Sequence, residues 1–152
     1  MWRKEVENHM AINIRKYQRS DYNGLIALLG KEYKSNISQQ VLEKNYISSS
    51  KTILIADDNG RVAGCTFVEL QTDYIRPRRI AYVTYVAVDQ NLRKQGIGRA
   101  LIQSVEEICE EKHCNAIELT SANYRTEAHS FYQSLGFTRK ATTLFIKETG
   151  SI

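Results

Sequence analysis

The chain is short of several features that define specialised classes of protein. Its 152 residues include three cysteines and one proline. No apolar run approaches the ~20 residues of a membrane span, and residues 1–9 lack the apolar stretch of a secretory signal. An odd number of cysteines without metal-like spacing argues against a disulfide framework or a zinc site. We therefore expect a cytoplasmic protein with reduced thiols, no membrane partner and no metal.

The net charge of the chain is also small. The chain has 21 basic and 17 acidic residues and a net charge of +4, which is too small to indicate a nucleic-acid partner. Its hydrophobic content of 42% suits a packed core, and its length suits one domain. We predict that residues 1–10, which end in a cloning-like His9-Met10 junction, are a poorly ordered extension or a cloning remnant. Residues 11–152 form the predicted domain.

Hydrophobic periodicity predicts an alternating order of strands and helices. Strands are expected at residues 11–17, 52–56, 61–70, 80–88, 115–120, 137–140 and 143–147, and helices at 21–29, 38–47, 96–112 and 126–135. Gly30 and Gly136 are expected to end helices. The segment 57–60 reads as a hairpin turn, and residues 115–120 as the second strand of a βαβ unit. The predicted fold is a single α+β sheet domain.

A basic, glycine-interrupted turn lies between the strand at 80–88 and the following helix. It reads Arg93-Lys94-Gln95-Gly96-Ile97-Gly98-Arg99. Glycines permit close approach of the backbone, and unpaired N–H groups and the helix dipole favour an anion. The turn indicates a phosphate or pyrophosphate site, with an ordinary solvated turn as the alternative. Leu101 replaces the third glycine of the dinucleotide fingerprint, and Arg99-Ala100 excludes a P-loop.

Two segments resemble motifs of one family. Residues 86–102 resemble the acetyl-CoA signature of the GNAT superfamily of N-acetyltransferases, in which Arg/Gln-x-x-Gly-x-Gly/Ala follows a valine-rich strand. Residues 128–137 resemble its late motif, Ala-x-x-Phe-Tyr-x-x-x-Gly-Phe. Both occur in order, and the resemblance extends from about Ile12 to Lys147. The segment Arg125-x-x-Ala128-His129-x-Phe131-Tyr132 resembles a branch that includes acetyltransferases of small amines.

The resemblance implies a mixed, mostly antiparallel central sheet flanked by helices and splayed at the fourth and fifth strands. Acetyl-CoA is expected to enter that gap, and its pantetheine to pair with the backbone of the fourth strand. The implied cofactor-binding residues are Val86, Ala87, Val88, Arg93, Lys94, Gln95, Gly96, Ile97, Gly98, Arg99, Asn123 and Tyr132. A backbone N–H of residues 86–88 is the implied oxyanion donor, and no metal is implied.

Tyr132 occupies the position of the family tyrosine that protonates the leaving thiolate, and we predict it as the catalytic acid; the alternative is a core aromatic. The general base departs from the family pattern, because Thr84 stands where many relatives carry Glu. Glu32, Glu69 and Glu118 are substitutes, although each also reads as a surface acid. A water chain or an amine bound already deprotonated can serve instead.

The resemblance favours acetyl transfer to the primary amine of a small molecule, by direct attack in a ternary complex. A protein lysine or N-terminal acetyltransferase remains an alternative, as does an acyl-CoA-binding sensor without turnover. The retained Tyr132 argues against the sensor, whereas the missing Glu at position 84 favours it. A homodimer is also expected among the partners.

Overall fold

The structure is a computed structural model that describes residues 12–150, so the predicted extension at residues 1–10 lies outside the described part. Its strands are β1 (Ile12–Lys16), β2 (Lys51–Asp58), β3 (Arg61–Asp73), β4 (Arg78–Val88) and β5 (Ala116–Glu118). Its α-helices are α1 (Tyr22–Tyr33), α2 (Gln39–Tyr46), α3 (Ile97–Glu111) and α4 (Thr126–Ser134). The chain divides into two compact units, which meet in sequence between Thr120 and Ser121.

The first unit holds a mixed sheet with the strand order β1-β2-β3-β4-β5. Neighbouring strands from β1 to β4 pair antiparallel, whereas β5 pairs parallel to β4. The β2–β3 connection is a tight hairpin in which Asn59 (φ 51°) and Gly60 (φ 90°) both adopt positive φ, as the predicted turn requires. The α+β class and the mostly antiparallel sheet are therefore confirmed.

The pairing of β4 with β5 is short. Ile80, Ala81 and Tyr82 face Ala116–Glu118, whereas β4 continues to Val88. Residues 83–88 therefore extend past the end of this pairing, as expected for strands that splay apart. This part of β4 keeps its antiparallel pairing with β3 on the other side.

Thr84 forms a bulge within β4. Phe67 pairs with Tyr85 and Val68 pairs with Val83, so Thr84 has no partner across the ladder. An extra residue reverses the alternation of side chains between the two faces of a sheet. Ala81 and Val83 accordingly pack in the cluster that contains α3, whereas Tyr85 and Ala87 pack in the cluster that contains α1 and α2.

Two apolar clusters cover the two faces of the sheet. One contains Leu25, Leu28, Leu29 and Leu42 from α1 and α2 together with Ile53, Ile55, Cys65 and Phe67. The other contains Ile97, Leu101 and Val105 from α3 together with Leu54, Ala63 and Val68. Each fully buried Leu, Ile, Val or Phe side chain contributes about 1.5–3 kcal/mol to the stability of the fold. Gly64 lets α3 approach closely, since a Cβ there would lie 3.1 Å from Ile97 Cγ2.

The end of α1 differs from the prediction. The helix continues through Gly30 to Tyr33 and ends at Lys34, which adopts the left-handed conformation (φ 54°). A glycine inside a helix costs about 1 kcal/mol. The last turn offsets this cost through long-range contacts, because the ring of Tyr33 packs 4.9 Å from that of Tyr85 and its hydroxyl donates to the Val86 carbonyl.

The two predicted strands at residues 137–140 and 143–147 are wrong. The described residues after α4 form neither strand nor helix. Leu144, Phe145 and Ile146 are 78%, 89% and 70% exposed. The β-propensity of such residues reflects how well their side chains fit a pleated, half-buried sheet surface. The described residues of the second unit offer this segment no sheet on which to pack. The α4 terminus does follow the prediction, with Gly136 at φ 92°.

Candidate active site

The predicted anion-binding turn opens α3, as the sequence indicates. Gly96 is the N-cap of α3 with a φ of 84°, and no side chain caps the helix there. The first intrahelical bond runs from the Ala100 N–H to the Gly96 carbonyl (3.0 Å). The N–H groups of the first turn therefore have no partner within the helix, and the helix dipole adds positive potential at the same place. This geometry suits a phosphate group.

The turn also carries three basic side chains, and a hollow lies beside it. Arg93, Lys94 and Arg99 are exposed. The hollow has a volume of about 470 Å³ and is lined by Ile12, Lys94, Gln95, Gly96, Ile97, Arg99, Ala100 and Gln103. Its volume lies within the range of small-molecule sites. Five of the predicted cofactor-binding residues thus share one concave surface.

The strand that leads into this turn presents an open edge. Antiparallel ladders alternate between pairs that exchange both backbone bonds and pairs that exchange none. The Asp89 N–H donates to the Ala63 carbonyl (2.9 Å), so the pair formed by Ala87 and Cys65 is also bonded. Val86 and Val88 occupy the alternate positions. Their N–H and C=O groups therefore point away from β3, toward the edge of β4 that does not pair with β5.

Both outward carbonyls of this edge accept hydrogen bonds from side chains. The Tyr33 hydroxyl donates to the Val86 carbonyl at 3.2 Å, and Arg93 Nε donates to the Val88 carbonyl at 3.4 Å. Arg93 Nη2 also donates to Glu32 Oε1 on α1. No pattern in the sequence points to the role of Tyr33, because its contact with Val86 depends on how α1 packs on the sheet.

A second ion pair fixes the start of the connection between β4 and α3. Arg61 Nη2 lies 2.7 Å from Asp89 Oδ2, and Asp89 Oδ1 accepts from the Asn91 N–H at 2.9 Å. The backbone bond and the neighbouring guanidinium hold the pKa of Asp89 below its usual range. The carboxylate therefore stays charged at neutral pH and anchors the segment that carries the basic turn.

None of the candidate residues has surroundings that indicate a general base. Thr84 is exposed at the bulge, and a hydroxyl of this type is no base at neutral pH. Glu118 is exposed and lies 3.5 Å from Arg78, whereas Glu32 is bonded to Arg93. Glu69 lies on β3 opposite Tyr82. The absence of a dedicated carboxylate base therefore stays a prediction.

The remaining predicted residues lie in the second unit. Tyr132 is half-buried on α4, with ring centroids 5.2 Å from Phe131 and 5.7 Å from Phe137. Its carbonyl accepts from the Phe137 N–H at 3.1 Å, which helps to end α4. Asn123 is exposed, and its Oδ1 accepts from Arg139 Nη2 at 3.3 Å. Their roles toward a cofactor rest on their motif positions and stay predictions.

Comparison with known proteins agrees with the resemblance seen in the sequence. The model of the acetyltransferase (GNAT) family matches residues 14–137. The match covers most of the chain, including the basic turn and α4. The protein therefore belongs to the GNAT family of acetyltransferases, and the predicted family is confirmed.

Particular relatives share parts of the sequence. The glucosamine 6-phosphate N-acetyltransferase of Trypanosoma brucei brucei is 33% identical over 79 residues, which are 51% of this chain and 52% of that protein. The N-alpha-acetyltransferase 30 of Dictyostelium discoideum is 33% identical over 81 residues, which are 53% of this chain and 43% of that protein. The chain spans about a third to a half of the length of the curated relatives it matches.

The fold is shared more widely than the sequence. A crystal structure of an aminoglycoside acetyltransferase from a soil metagenomic sample, in complex with sisomicin, has a TM-score of 0.82 and 20% identity. The match covers 93% of this chain and 98% of that one. At this identity the likeness shows a common fold.

Two further properties concern the described residues 12–150. No helix in this range is long and apolar enough to cross a membrane. The same range holds no group of three His, Cys, Asp or Glu side chains arranged to bind a metal. The expectation of a metal-free reaction stays a prediction.

Proposed function

We propose that this chain is an acetyl-CoA-dependent N-acetyltransferase that moves an acetyl group to the primary amine of a small molecule. One observation carries the proposal. The open edge of β4 at Val86 and Val88 leads directly into the basic turn that begins α3 at Gly96. An edge that offers N–H and C=O groups suits the amides of pantetheine, and a helix N-terminus with three basic residues suits a pyrophosphate.

The residues of the first unit fit the parts of acetyl-CoA in order. The carbonyl and N–H groups of Val86 and Val88 would hold pantetheine. The N–H groups of Ile97, Gly98 and Arg99 would hold the pyrophosphate, with Arg93, Lys94 and Arg99 supplying charge. Gly96 is needed because its φ of 84° costs other residues about 1–2 kcal/mol.

The chemistry requires little from the protein beyond orientation. The neutral amine attacks the thioester carbonyl, so a C–N bond forms and the C–S bond then breaks. The developing oxyanion would accept from an outward N–H of β4, that of Val86 or of Val88. The leaving thiolate would take its proton from Tyr132, and the amine would lose its proton to water or to solvent-linked groups. Both substrates are bound when attack occurs.

One relative and one structural neighbour support a small-molecule acceptor. The trypanosomal relative is named for acetyl transfer to glucosamine 6-phosphate, and the soil-sample protein of the same fold is an aminoglycoside acetyltransferase. The Dictyostelium relative bears the name of an N-alpha-acetyltransferase, which keeps a peptide acceptor as the second candidate.

Thiol release from acetyl-CoA by the full chain tests the proposal. The acceptor panel contains simple primary amines, glucosamine 6-phosphate, aminoglycosides, and peptides with a free N-terminus or a lysine. We expect acceptor-dependent release with at least one small amine and a product heavier by one acetyl group in mass spectrometry. Release with peptides alone would move the assignment to the second candidate. Binding of acetyl-CoA without release across the panel would favour the sensor.

A further inference from the structure

The last turn of α1 touches the predicted cofactor site at two places. Glu32 and Tyr33 are neighbours at the end of the helix. Tyr33 reaches the Val86 carbonyl, and Glu32 holds the Arg93 guanidinium, whose Nε in turn reaches the Val88 carbonyl. Neither Glu32 nor Tyr33 belongs to the motif that indicates the cofactor site. The two outward carbonyls of the open edge are therefore both covered from α1, one directly and one through Arg93.

Covering these carbonyls has an understandable structural benefit. An exposed strand edge with unpaired backbone groups is a site for unwanted pairing with another chain. A phenol hydroxyl and a guanidinium satisfy the carbonyls without adding a strand. The same groups, however, occupy the positions that a pantetheine amide needs if it is to pair with β4.

The charge of Glu32 acts on the same site in a second way. Its carboxylate contacts a guanidinium that would otherwise be available to a pyrophosphate, and its side chain is only 21% exposed. A negative charge this close to the basic turn lowers the attraction of the turn for any phosphate, less so as salt rises.

We propose that the last turn of α1 sets the affinity for the cofactor, with Tyr33 capping the pantetheine edge of β4 and Glu32 acting as an internal counter-anion for Arg93. Glu32 and Tyr33 are positioning residues, since they act through Val86, Val88 and Arg93. This inference rests on the proposed function. Cofactor binding displaces the Tyr33 hydroxyl from Val86 and weakens the hold of Glu32 on Arg93, so both contacts reduce affinity.

The two residues make separable predictions for two ligands. Coenzyme A carries pantetheine, whereas adenosine 3′,5′-bisphosphate carries the nucleotide phosphates alone. Tyr33→Phe removes the hydroxyl and keeps the ring against Tyr85. We expect it to lower the Kd of coenzyme A two- to tenfold, the worth of one hydrogen bond, and to leave the Kd of the bisphosphate unchanged. Glu32→Gln is expected to lower both Kd values about three- to tenfold at low salt, with less gain at high salt.

Isothermal titration calorimetry of the full chain measures these constants. Tyr22→Phe is the matched control, because Tyr22 lies on the same helix and its hydroxyl also donates to a backbone carbonyl, that of Ile37 at 2.9 Å. It should change neither Kd. Melting temperatures of the unliganded variants establish that each one is folded.

Particular outcomes would overturn the inference. An unchanged or weaker affinity of Tyr33→Phe for coenzyme A would mean that the hydroxyl does not compete at the edge. An equal change for both ligands would place its effect outside the pantetheine site. Unchanged affinities in Glu32→Gln would remove the counter-anion. Failure of the unaltered chain to bind coenzyme A is a different result, which would reject the proposed function itself.

Discussion

Arg15 and Asp21 form a two-point ion pair. Arg15 Nη1 donates to Asp21 Oδ2 at 2.7 Å, and Nη2 donates to Oδ1 at 2.9 Å. Asp21 is almost fully buried and also accepts from the Gln18 N–H at 2.7 Å. Arg15 Nε bonds Asp57 as well, so the pair joins β1, β2 and the turn before α1. These bonds hold the pKa of Asp21 below its usual range, chiefly through Arg15.

Asp21→Asn should therefore destabilise the fold. We expect a loss of about 2–3 kcal/mol in the free energy of unfolding at pH 7, because Arg15 loses its closest counter-charge. A depressed native pKa stabilises the fold above the ordinary aspartate pKa, and this contribution is lost as pH falls through the native value. The difference between the variant and the unaltered chain should thus shrink toward pH 2 in urea titrations.

Asp73→Asn is the control for this measurement. Asp73 also bonds an arginine, Arg76, at 3.2 Å, but Arg76 is 82% exposed and Asp73 is 32% exposed in the β3–β4 hairpin. Water screens this pair, so its loss should change stability little. A cost as large as that of Asp21→Asn would show that burial is not what gives the Arg15 pair its value.

Gly96→Asp should abolish the thermal stabilisation by coenzyme A. At one hundred times Kd, we expect the ligand to raise the melting temperature of the unaltered chain by about 5–10 °C. A carboxylate at the N-cap of α3 would repel the pyrophosphate, and the side chain would occupy the space that the pyrophosphate needs beside the backbone. The variant should also lose about 1–2 kcal/mol of stability through its positive φ.

Gly60→Asp separates these two effects. Gly60 has a similar φ of 90°, and a Cβ there meets nothing within 4 Å. This control adds the same charge and a similar strain at the β2–β3 hairpin, and it should keep the full ligand-induced shift in melting temperature. A shift that survives in Gly96→Asp would mean that the turn does not hold the cofactor.

Tyr132→Phe should lower turnover while leaving cofactor affinity nearly unchanged. Loss of a general acid costs about 10²–10⁴-fold in rate. The ring contacts with Phe131 and Phe137 do not need the hydroxyl, so α4 should stay folded. Steady-state kinetics give kcat, and Tyr124→Phe, an exposed tyrosine of the same unit, is the control. A kcat within twofold of the unaltered value would make water the proton source.

Glu69→Gln and Glu118→Gln should each keep substantial activity. Thr84 supplies no base, and a water path or a pre-neutralised amine can remove the proton. The rate should then rise with the ionisation of the amine itself. Profiles of kcat/KM against pH for two amines of different pKa decide the matter. A common rise for both amines, abolished by one Glu→Gln change, would reveal a dedicated base.

Features that depend on neighbouring residues in the sequence were predictable. The β2–β3 hairpin follows from Asn59-Gly60, which readily adopt the positive φ values of a tight turn. The start of α3 follows from Gly96 and the helical spacing after it. Both structures rest on local backbone preferences, so a single sequence contains the necessary information.

Features that depend on a distant partner were not predictable. The extension of α1 past Gly30 comes from contacts of Tyr33 with Tyr85 and Val86. The backbone of Ala87 bonds β3, whereas the backbone groups of Val86 and Val88 point away from it. This difference comes from the register of β4 on β3. The residues after α4 have strand-like composition, yet composition alone gives no pairing partner. Each of these outcomes depends on where another segment lies.

The bulge at Thr84 gives that position an unusual evolutionary status. Its side chain is exposed and has no cross-strand partner, so many different amino acids should be tolerated there. Deletion of the residue should be tolerated as well. Val83 already faces Val68 and Tyr85 already faces Phe67, so a strand without Thr84 would keep the other pairs in register and leave Tyr85 and Val86 on their present faces. Natural variation and library design can therefore change or remove the residue at position 84 without changing which side chains of β4 lie on each face of the sheet.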